Sequence, residues 1–331
     1  MVNTVGKKLA TYLLLAFITT AIITNFSSAQ ISPLKITVTT DKTSYRYREA
    51  VNIYGNVTYN DQLVEEGLVA VQIDNPDNKT IALRTVPANA TPTENWTVEI
   101  LSFISCDSSG NPQDTFQRNK YAYFKIFIKN NAVVGDRSVL LTITLCDFDS
   151  TPFRLHWLKT VIPAGQTHGE IVGLWINEWI TTGTAVAYAN VYTDWPKHEG
   201  YAYCPEQTAN FFIETTTPLN QTPIESNDTY TVTFRLPPHE APYFGTYFIS
   251  TSAYYKGWKN FQNTTLTVEY QILGDFNYDR RIDILDVVML TSIYGSTSSS
   301  INWNPELDVS PDGKIDILDV VMVTSKYGFS Y

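Results

Sequence analysis

The feature that most constrains this 331-residue chain is an acidic twelve-residue segment that occurs twice near its end. Residues 275–286 read DFNYDRRIDILD, and residues 308–319 read DVSPDGKIDILD. Calcium takes six to eight oxygen ligands from a loop of this length, including a backbone carbonyl at position 7. The pattern therefore predicts two calcium ions. The expected ligands are Asp275, Asn277, Asp279, Arg281 (carbonyl), Asp283 and Asp286 in the first loop, and Asp308, Ser310, Asp312, Lys314 (carbonyl), Asp316 and Asp319 in the second.

An apolar segment follows each loop, VVMLTSIYG in the first copy and VVMVTSKYG in the second. Val287, Val288 and Ile293, with Val320 and Val321 in the second copy, can form the apolar faces of two short helices. Gly295 and Gly328 are expected helix stops. Loop and helix, repeated once, resemble the dockerin family over residues 274–329. The resemblance implies a small helical, EF-hand-type module that binds calcium and docks to a cohesin-like protein domain.

Two positions in the loops bear on that docking. Position 6 favours glycine, which Gly313 satisfies and Arg280 does not, so the first site is expected to bind calcium more weakly. Positions 10 and 11, through which dockerins contact cohesins, are here an Ile-Leu pair in both copies. We therefore expect partner binding at Ile284, Leu285, Ile317 and Leu318. The alternative is that these side chains pack on the chain's own domains or on a neighbouring subunit.

The chain between residues 35 and 270 is predicted to be mainly β. Val51, Ile53, Gly55 and Val57 alternate with polar residues, as do the apolar residues of 69–73, so one face of each strand should meet a core and the other should meet water. The first 60 residues of this part resemble extracellular immunoglobulin-like and macroglobulin-like domains. A second part, from IKNN to IPAGQT, resembles CARDB-type adhesion domains. It contains seven strand-like runs, at residues 96–104, 121–129, 139–146, 153–161, 168–176, 183–192 and 210–215.

These runs predict two immunoglobulin-like β-sandwiches, one inserted in the other. The outer sandwich would take residues 32–95 and 222–271, and the inserted sandwich residues 96–216, because the first segment alone has too few strands for a sandwich. Residues 272–331 would follow as the dockerin-like module. The alternative is three modules in series, which would leave half-domains with open sheet edges.

The N-terminus predicts export. Lys7 and Lys8 precede an uncharged apolar stretch, and small residues precede Gln30, as in a signal peptide over residues 1–29. An uncleaved membrane anchor is the alternative, although the stretch is short for a span. We therefore expect an extracellular or cell-surface protein with no membrane segment after cleavage. Seven sequons are then candidate glycosylation sites: Asn56, Asn78, Asn89, Asn95, Asn220, Asn227 and Asn263.

Three cysteines leave one thiol unpaired in an oxidising compartment. Cys146 continues a strand-like run, whereas the other two lie beside turns, so we expect a Cys106–Cys204 disulfide and a free Cys146. The formal charge of −10 argues against a nucleic-acid partner.

No catalytic motif appears, and the four histidines show no zinc-binding spacing, so we do not expect an enzyme. The sequence favours a non-catalytic adhesion or assembly protein. Two alternatives stay open. One is a carbohydrate-binding or scaffold component of an extracellular polysaccharide-degrading complex, with glycan stacking on the aromatic residues of 254–258 or 194–196. The other is a subunit of an extracellular filament or surface layer.

Overall fold

The computed structural model describes residues 32–46, 49–90, 96–177, 180–214, 230–236, 244–269, 272–277, 279–297, 300–310 and 312–330. The expected signal peptide and the sequons at Asn95, Asn220 and Asn227 lie outside these residues. Of the sequons inside them, Asn78, Asn89 and Asn263 are exposed and Asn56 is half-buried.

The described chain is mainly β, as predicted, and its two α-helices lie near the C-terminus. No helix among the described residues has the length and apolar character needed to cross a membrane. The helices are α1 (Ile284–Ser292) and α2 (Ile317–Thr324). The strands are β1 (Leu34–Ile36), β2 (Thr39–Thr40), β3 (Ser44–Tyr45), β4 (Ala50–Gly55), β5 (Val57–Tyr59), β6 (Gln62–Leu63), β7 (Leu68–Asp74), β8 (Thr80–Pro87), β9 (Val98–Cys106), β10 (Thr115–Phe116), β11 (Lys120–Asn130), β12 (Arg137–Cys146), β13 (Pro152–Ile162), β14 (Thr167–Ile176), β15 (Gly183–Tyr192), β16 (Gln207–Ile213), β17 (Tyr230–Arg235), β18 (Gly245–Tyr255) and β19 (Trp258–Val268).

Strands that are far apart in sequence pair in the first group of sheets. β17 pairs antiparallel with β4, from Tyr230 opposite Gly55 to Arg235 opposite Ala50. β18 pairs antiparallel with β7. These pairings place residues 34–87 and residues 230–268 around one hydrophobic core, which includes Val51, Val71 and Ile249. The sheet orders are β17-β4-β2, β3-β19-β18-β7-β8 and β1-β5-β6. The domain boundaries given above stay a prediction.

The strands from β9 to β16 form a second pair of sheets with a core of their own. The orders are β10-β16-β15-β12-β13 and β14-β11-β9. Seven of these eight strands start and end within three residues of the strand-like runs found in the sequence. Alternating residues of β11, such as Phe124, Ile126 and Ile128, are fully buried between the two sheets. We refer to this pair of sheets as the inner sandwich and to the sheets of the previous paragraph as the outer sandwich.

One expectation about the outer sandwich is wrong. The alternating pattern of β7 predicts one wet face, yet all seven residues of the strand are buried. The second face is covered because Ala70 and Leu83 of the outer sandwich pack against Leu140 and Tyr192 of the inner sandwich. A period of two in sequence shows which residues share a face, but not what covers each face.

Polar contacts also hold the two sandwiches together. Arg84 of β8 makes a bidentate ion pair with Glu206, at 2.9 Å from both Nη2 and Nε, and stacks on the ring of Tyr188. The hydroxyl of Thr144 donates to the carbonyl of Leu83 at 3.1 Å. At this interface the charged groups and the apolar groups of each sandwich both have partners in the other sandwich. These contacts therefore hold the two sandwiches in a fixed relative position.

The expected Cys106–Cys204 disulfide is not formed, and all three cysteines are buried free thiols. The Cys204 thiol accepts a hydrogen bond from the backbone N–H of Ile100, the third residue of β9. Cys106 lies six residues further along the same strand, which at about 3.3 Å per residue is about 20 Å away. A disulfide needs Cα atoms within about 7 Å, so this pair cannot close without rebuilding the strand.

Candidate calcium loops and docking face

The two acidic loops share three internal hydrogen bonds around their first and fifth positions. In both, the backbone N–H of position 5 donates to the carboxylate of position 1, Asp275 or Asp308, at 3.2 Å. The N–H of position 6 donates to the other oxygen of that carboxylate, at 3.0 and 2.9 Å. The N–H of position 7 donates to the position-5 carboxylate, Asp279 or Asp312, at 3.0 Å in each loop. The backbone thus wraps around the side chains predicted to hold calcium.

The last two acidic positions of each loop connect it to the following helix. Asp283 is the N-cap of α1, and its carboxylate accepts from the N–H of Leu285 at 2.8 Å. Asp286, the third residue of the helix, accepts in return from the N–H of Asp283 at 2.9 Å. Asp316 and Asp319 make the same capping box at the start of α2. The predicted ligands at positions 9 and 12 therefore also fix where each helix begins.

Burying the Asp carboxylates of the two loops costs free energy unless a cation neutralises their charge. Asp275, Asp286, Asp308 and Asp319 are all buried. Burial raises the pKa of Asp312, and the nearby carboxylates of Asp316 and Asp319 raise it further, against the opposing N–H of Lys314. A buried carboxylate is stable when it is paired or coordinates a metal. The loops thus have the electrostatics of a cation site.

A buried oxygen in the second loop tests whether the residues fit calcium. The hydroxyl oxygen of Ser310, at position 3, is buried and has no hydrogen-bond partner. Buried polar atoms are almost always partnered, so an unsatisfied oxygen here fits a ligand position. Among the described residues, no group of three or more His, Cys, Asp or Glu side chains lies at metal-binding distances. The expected calcium sets rely also on Asn277, Ser310 and backbone carbonyls, which suits a cation that takes mixed oxygen ligands.

The position-6 residues adopt the conformation that the sequence pattern requires. Arg280 has φ 68° and Gly313 has φ 82°, both in the left-handed region. Only glycine enters this region without a steric cost, so the first loop carries strain that the second does not.

An internal pseudo-twofold axis relates the two copies. The N–H of Ile282, at position 8 of the first loop, donates to the carbonyl of Phe329 at 2.9 Å. The N–H of Ile315, at position 8 of the second loop, donates to the carbonyl of Ser296 at 2.9 Å. Each loop thus pairs with the segment that follows the other helix.

The helices present their apolar residues differently from the sequence expectation. Leu290 and Val323 are buried, while Val287, Ile293 and Val320 pack partly against the same small core. Val288 and Val321, which we expected on the same faces, are more than half exposed. They lie one turn after the Ile-Leu pairs, on the side of each helix that faces solvent.

The predicted partner-binding residues are all exposed. Ile284 and Leu285 are 56% and 55% exposed, and Ile317 and Leu318 are 56% and 54% exposed. More than half of each of these side chains is therefore open to solvent. With Val288, Met289, Val321 and Met322 they form two matching apolar patches, one on each helix. Contiguous exposed apolar residues of this kind mark interaction sites.

One residue lies near the second loop although nothing in the sequence indicates it. Burial lowers the pKa of Arg118, which lies in the turn between β10 and β11, and the carboxylates of Asp312 and Asp308 oppose that shift. The positively charged side chain of Arg118, in the inner sandwich, therefore lies close to the second acidic loop, although about 190 residues separate them in sequence. The fold alone brings these groups together.

The solved structures to which this chain is similar include three distant likenesses. A CARDB domain from Pyrococcus furiosus, solved in complex with di-metal ions, has a TM-score of 0.24 and 12% identity over 37% of this chain and 96% of that one. The alkylpurine DNA glycosylase AlkC from Pseudomonas fluorescens has a TM-score of 0.27 and 11% identity over 37% of this chain. A β-glucosidase from Listeria innocua has a TM-score of 0.25 and 11% identity over 37% of this chain. This chain covers 32% of the glycosylase and 16% of the glucosidase, and such likenesses carry no argument about activity.

The family comparison falls on the duplicated loops. No curated protein matches the chain. Dockerin domains bind calcium and dock to cohesin partners. Residues 273–326, which hold both loops and both helices, match the dockerin type I domain.

Proposed function

We propose that this chain is a secreted or cell-surface, non-catalytic adhesion or assembly protein that docks to a cohesin-like partner through its calcium-dependent C-terminal module. The observation that carries the proposal is the pair of exposed Ile-Leu patches, which occupy positions 10 and 11 of the two predicted calcium loops. Dockerin domains are typical of extracellular cellulosome components, which supports export.

Calcium would act through the helix starts. The carboxylates at positions 9 and 12 cap each helix, and the Ile-Leu pair occupies positions 10 and 11 between them. An ion held by the same carboxylates would remove their mutual repulsion and fix the first turn of the helix. Ile284 and Leu285, or Ile317 and Leu318, would then stand in defined positions for a partner.

The internal symmetry gives the proposal a distinctive form. The two patches carry the same residues at the same exposure, on helices related by the pseudo-twofold axis. A partner that recognises one patch can therefore recognise the other after a half-turn. We expect one partner to bind at a time in either of two orientations.

Capture from an extracellular fraction tests the proposal. The chain from residue 32 is immobilised in calcium or in chelator, as wild type, as Ile284→Asp with Leu285→Asp, as Ile317→Asp with Leu318→Asp, and as the fourfold variant. Val133→Asp with Val134→Asp is the matched control, since this exposed apolar pair lies in a turn of the inner sandwich. A captured cohesin-like protein should be retained by each twofold variant and lost from the fourfold variant and in chelator. Equal capture by wild type and the fourfold variant would refute the proposal.

A cleft between the two sandwiches favours glycan binding as a second candidate function. The cleft has a volume of about 320 Å³, and Trp157, Trp195 and three cationic side chains, Lys79, Arg154 and Lys197, are among its lining residues. Trp157 is 54% exposed and meets the edge of Trp195 at 5.7 Å between ring centroids. Indole faces stack on sugars, and the positive charge around the cleft would attract an acidic oligosaccharide, although Lys197 already pairs with Asp74 at 3.2 Å.

The other aromatic run considered for sugar stacking does not form a comparable surface. Tyr255 and Trp258 pack partly against the core of the outer sandwich, and Tyr254 stacks on Tyr201 at 4.5 Å.

Titration with a uronic-acid oligosaccharide tests the cleft. Trp157→Ala should weaken binding at least tenfold, and Trp175→Ala, which alters a partly exposed tryptophan on β14, should not. Equal affinity of wild type and Trp157→Ala would remove this candidate.

A further inference from the structure

Two histidines and a glutamate of the inner sandwich meet where its two sheets come together. His156 lies in β13, an edge strand of the five-stranded sheet, and His168 and Glu170 lie in β14, an edge strand of the three-stranded sheet. His168 and Glu170 are two residues apart on a strand, so their side chains share a face. The sequence spacing of the histidines gave no sign of a cluster, because His156 and His168 belong to different sheets.

The side chains point their polar atoms at one another without forming hydrogen bonds. Nε2 of His156 lies 4.0 Å from Oε1 of Glu170, and Nε2 of His168 lies 3.8 Å from Oε2 of the same carboxylate. Both Nε2 atoms and Oε2 of Glu170 are buried and have no hydrogen-bond partner. Three buried polar atoms without hydrogen-bond partners, in neighbouring side chains, are unusual in a folded protein. They suggest that a ligand binds between these side chains.

We propose that His156, His168 and Glu170 form a binding site for a first-row divalent cation, of which zinc is the reference. Two imidazole nitrogens and one carboxylate are the donor set of open zinc sites, in which a water or an outside ligand takes the fourth position. The side chains of all three residues remain about a quarter to a third exposed, so an ion can enter from solvent.

Each of the two histidine–glutamate pairs is slightly wider than two ligands of one metal ion would be. At a metal–ligand distance of about 2.0–2.1 Å, tetrahedral ligands lie about 3.3 Å apart, against the 3.8 and 4.0 Å found here. The three groups are not yet at metal-binding distances, in keeping with the absence of a preformed cluster among the described residues. Each histidine–glutamate pair would have to close by about 0.5–0.7 Å to share an ion. Burial lowers the pKa of His156, against the opposing charge of Glu170, which favours the neutral imidazole that metals bind.

This site is chemically distinct from the calcium loops. Calcium takes oxygen ligands, whereas imidazole suits zinc and related transition metals. An ion at the proposed site would join the edge strand of one sheet to the edge strand of the other. It would therefore stabilise the inner sandwich and leave the docking helices unchanged.

Zinc titration of the chain from residue 32, in excess calcium to fill the loops, tests the proposal. We expect one saturable zinc equivalent and a raised thermal midpoint. His156→Ala, His168→Ala and Glu170→Gln should each weaken zinc binding at least tenfold, and His198→Ala, an exposed histidine of the same sandwich, should not. No saturable zinc binding in calcium, or equal binding by wild type and the three variants, would overturn the site.

A second measurement needs no variant, in case a substitution prevents folding. Diethyl pyrocarbonate labels accessible imidazoles, and mass spectrometry identifies the modified residues. Zinc should protect His156 and His168 from labelling and leave His198 reactive. Equal labelling of His156 and His168 with and without zinc would show that the cluster holds only protons or water, and would end the proposal.

Discussion

Replacing Arg280 by glycine should strengthen calcium binding at the first loop. Arg280 holds φ 68° at the position where the second loop has Gly313 at φ 82°. The left-handed conformation costs a residue with a side chain roughly 1–2 kcal/mol, and the greater freedom of glycine in the unfolded chain returns about 0.5–1 kcal/mol of this. The net gain is about 0.5–1 kcal/mol, which is about two- to five-fold in affinity.

The gain appears in affinity because the strain is incurred when the loop closes around the ion. The backbone N–H of Arg280 donates to the Asp275 carboxylate at 3.0 Å, and glycine retains this N–H. Loss of the arginine charge beside an acidic loop adds to the effect in the same direction.

Calorimetric calcium titration measures this change on the chain from residue 32, with the second loop disabled by Asp308→Ala and Asp312→Ala. The matched control is Gly313→Ala, tested with the first loop disabled by Asp275→Ala and Asp279→Ala; it should weaken the second site by a similar factor. Unchanged or weaker binding by Arg280→Gly would refute the strain argument, because both contributions point the same way.

Three further predictions concern the sandwiches. Burial raises the pKa of the Cys146 and Cys204 thiols to about 12, so a thiol reagent at pH 8 should leave both unlabelled in the native chain and label them in denaturant; native labelling would contradict their burial. Glu206→Gln leaves the largely buried Arg84 charge, whose side chain is 19% exposed, without its partner and should cost about 3 kcal/mol in urea unfolding, whereas Lys35→Gln, which removes the exposed Lys35–Asp61 pair, should leave the midpoint unchanged; equal midpoints for the two variants would show that the Arg84–Glu206 pair does not matter. Tyr192→Phe loses the 3.0 Å hydrogen bond from Thr85 and should cost about 1 kcal/mol, and no change in unfolding free energy would show that water replaces it.

Local patterns in the sequence were sufficient for the class of fold and for the loops. Alternation of apolar and polar residues is a property of each strand, so runs such as residues 168–176 and 183–192 appear in the structure as β14 and β15. The twelve-residue spacing likewise depends on the backbone of one loop, and in both loops the position-5 N–H donates to the position-1 carboxylate, while the calcium ligands stay a prediction.

Features that depend on how distant segments meet could not be predicted. β7 is buried on both faces because a second sandwich covers it, and no residue of the strand itself signals that cover. The expected disulfide fails because Cys204 lies beside Ile100 and not beside Cys106. The cluster of His156, His168 and Glu170, and the approach of Arg118 to the second calcium loop, also arise only from the packing of separate elements.

Calcium titration of the wild-type chain tests the central claim most directly. The account predicts two calcium ions per chain, one in each double variant that disables a loop, and none when both loops are disabled. Circular dichroism recorded alongside should show helicity rising as the loops fill, because the ligands at positions 9 and 12 also cap α1 and α2. The same helicity in chelator as in millimolar calcium, with no heat of binding, would contradict it.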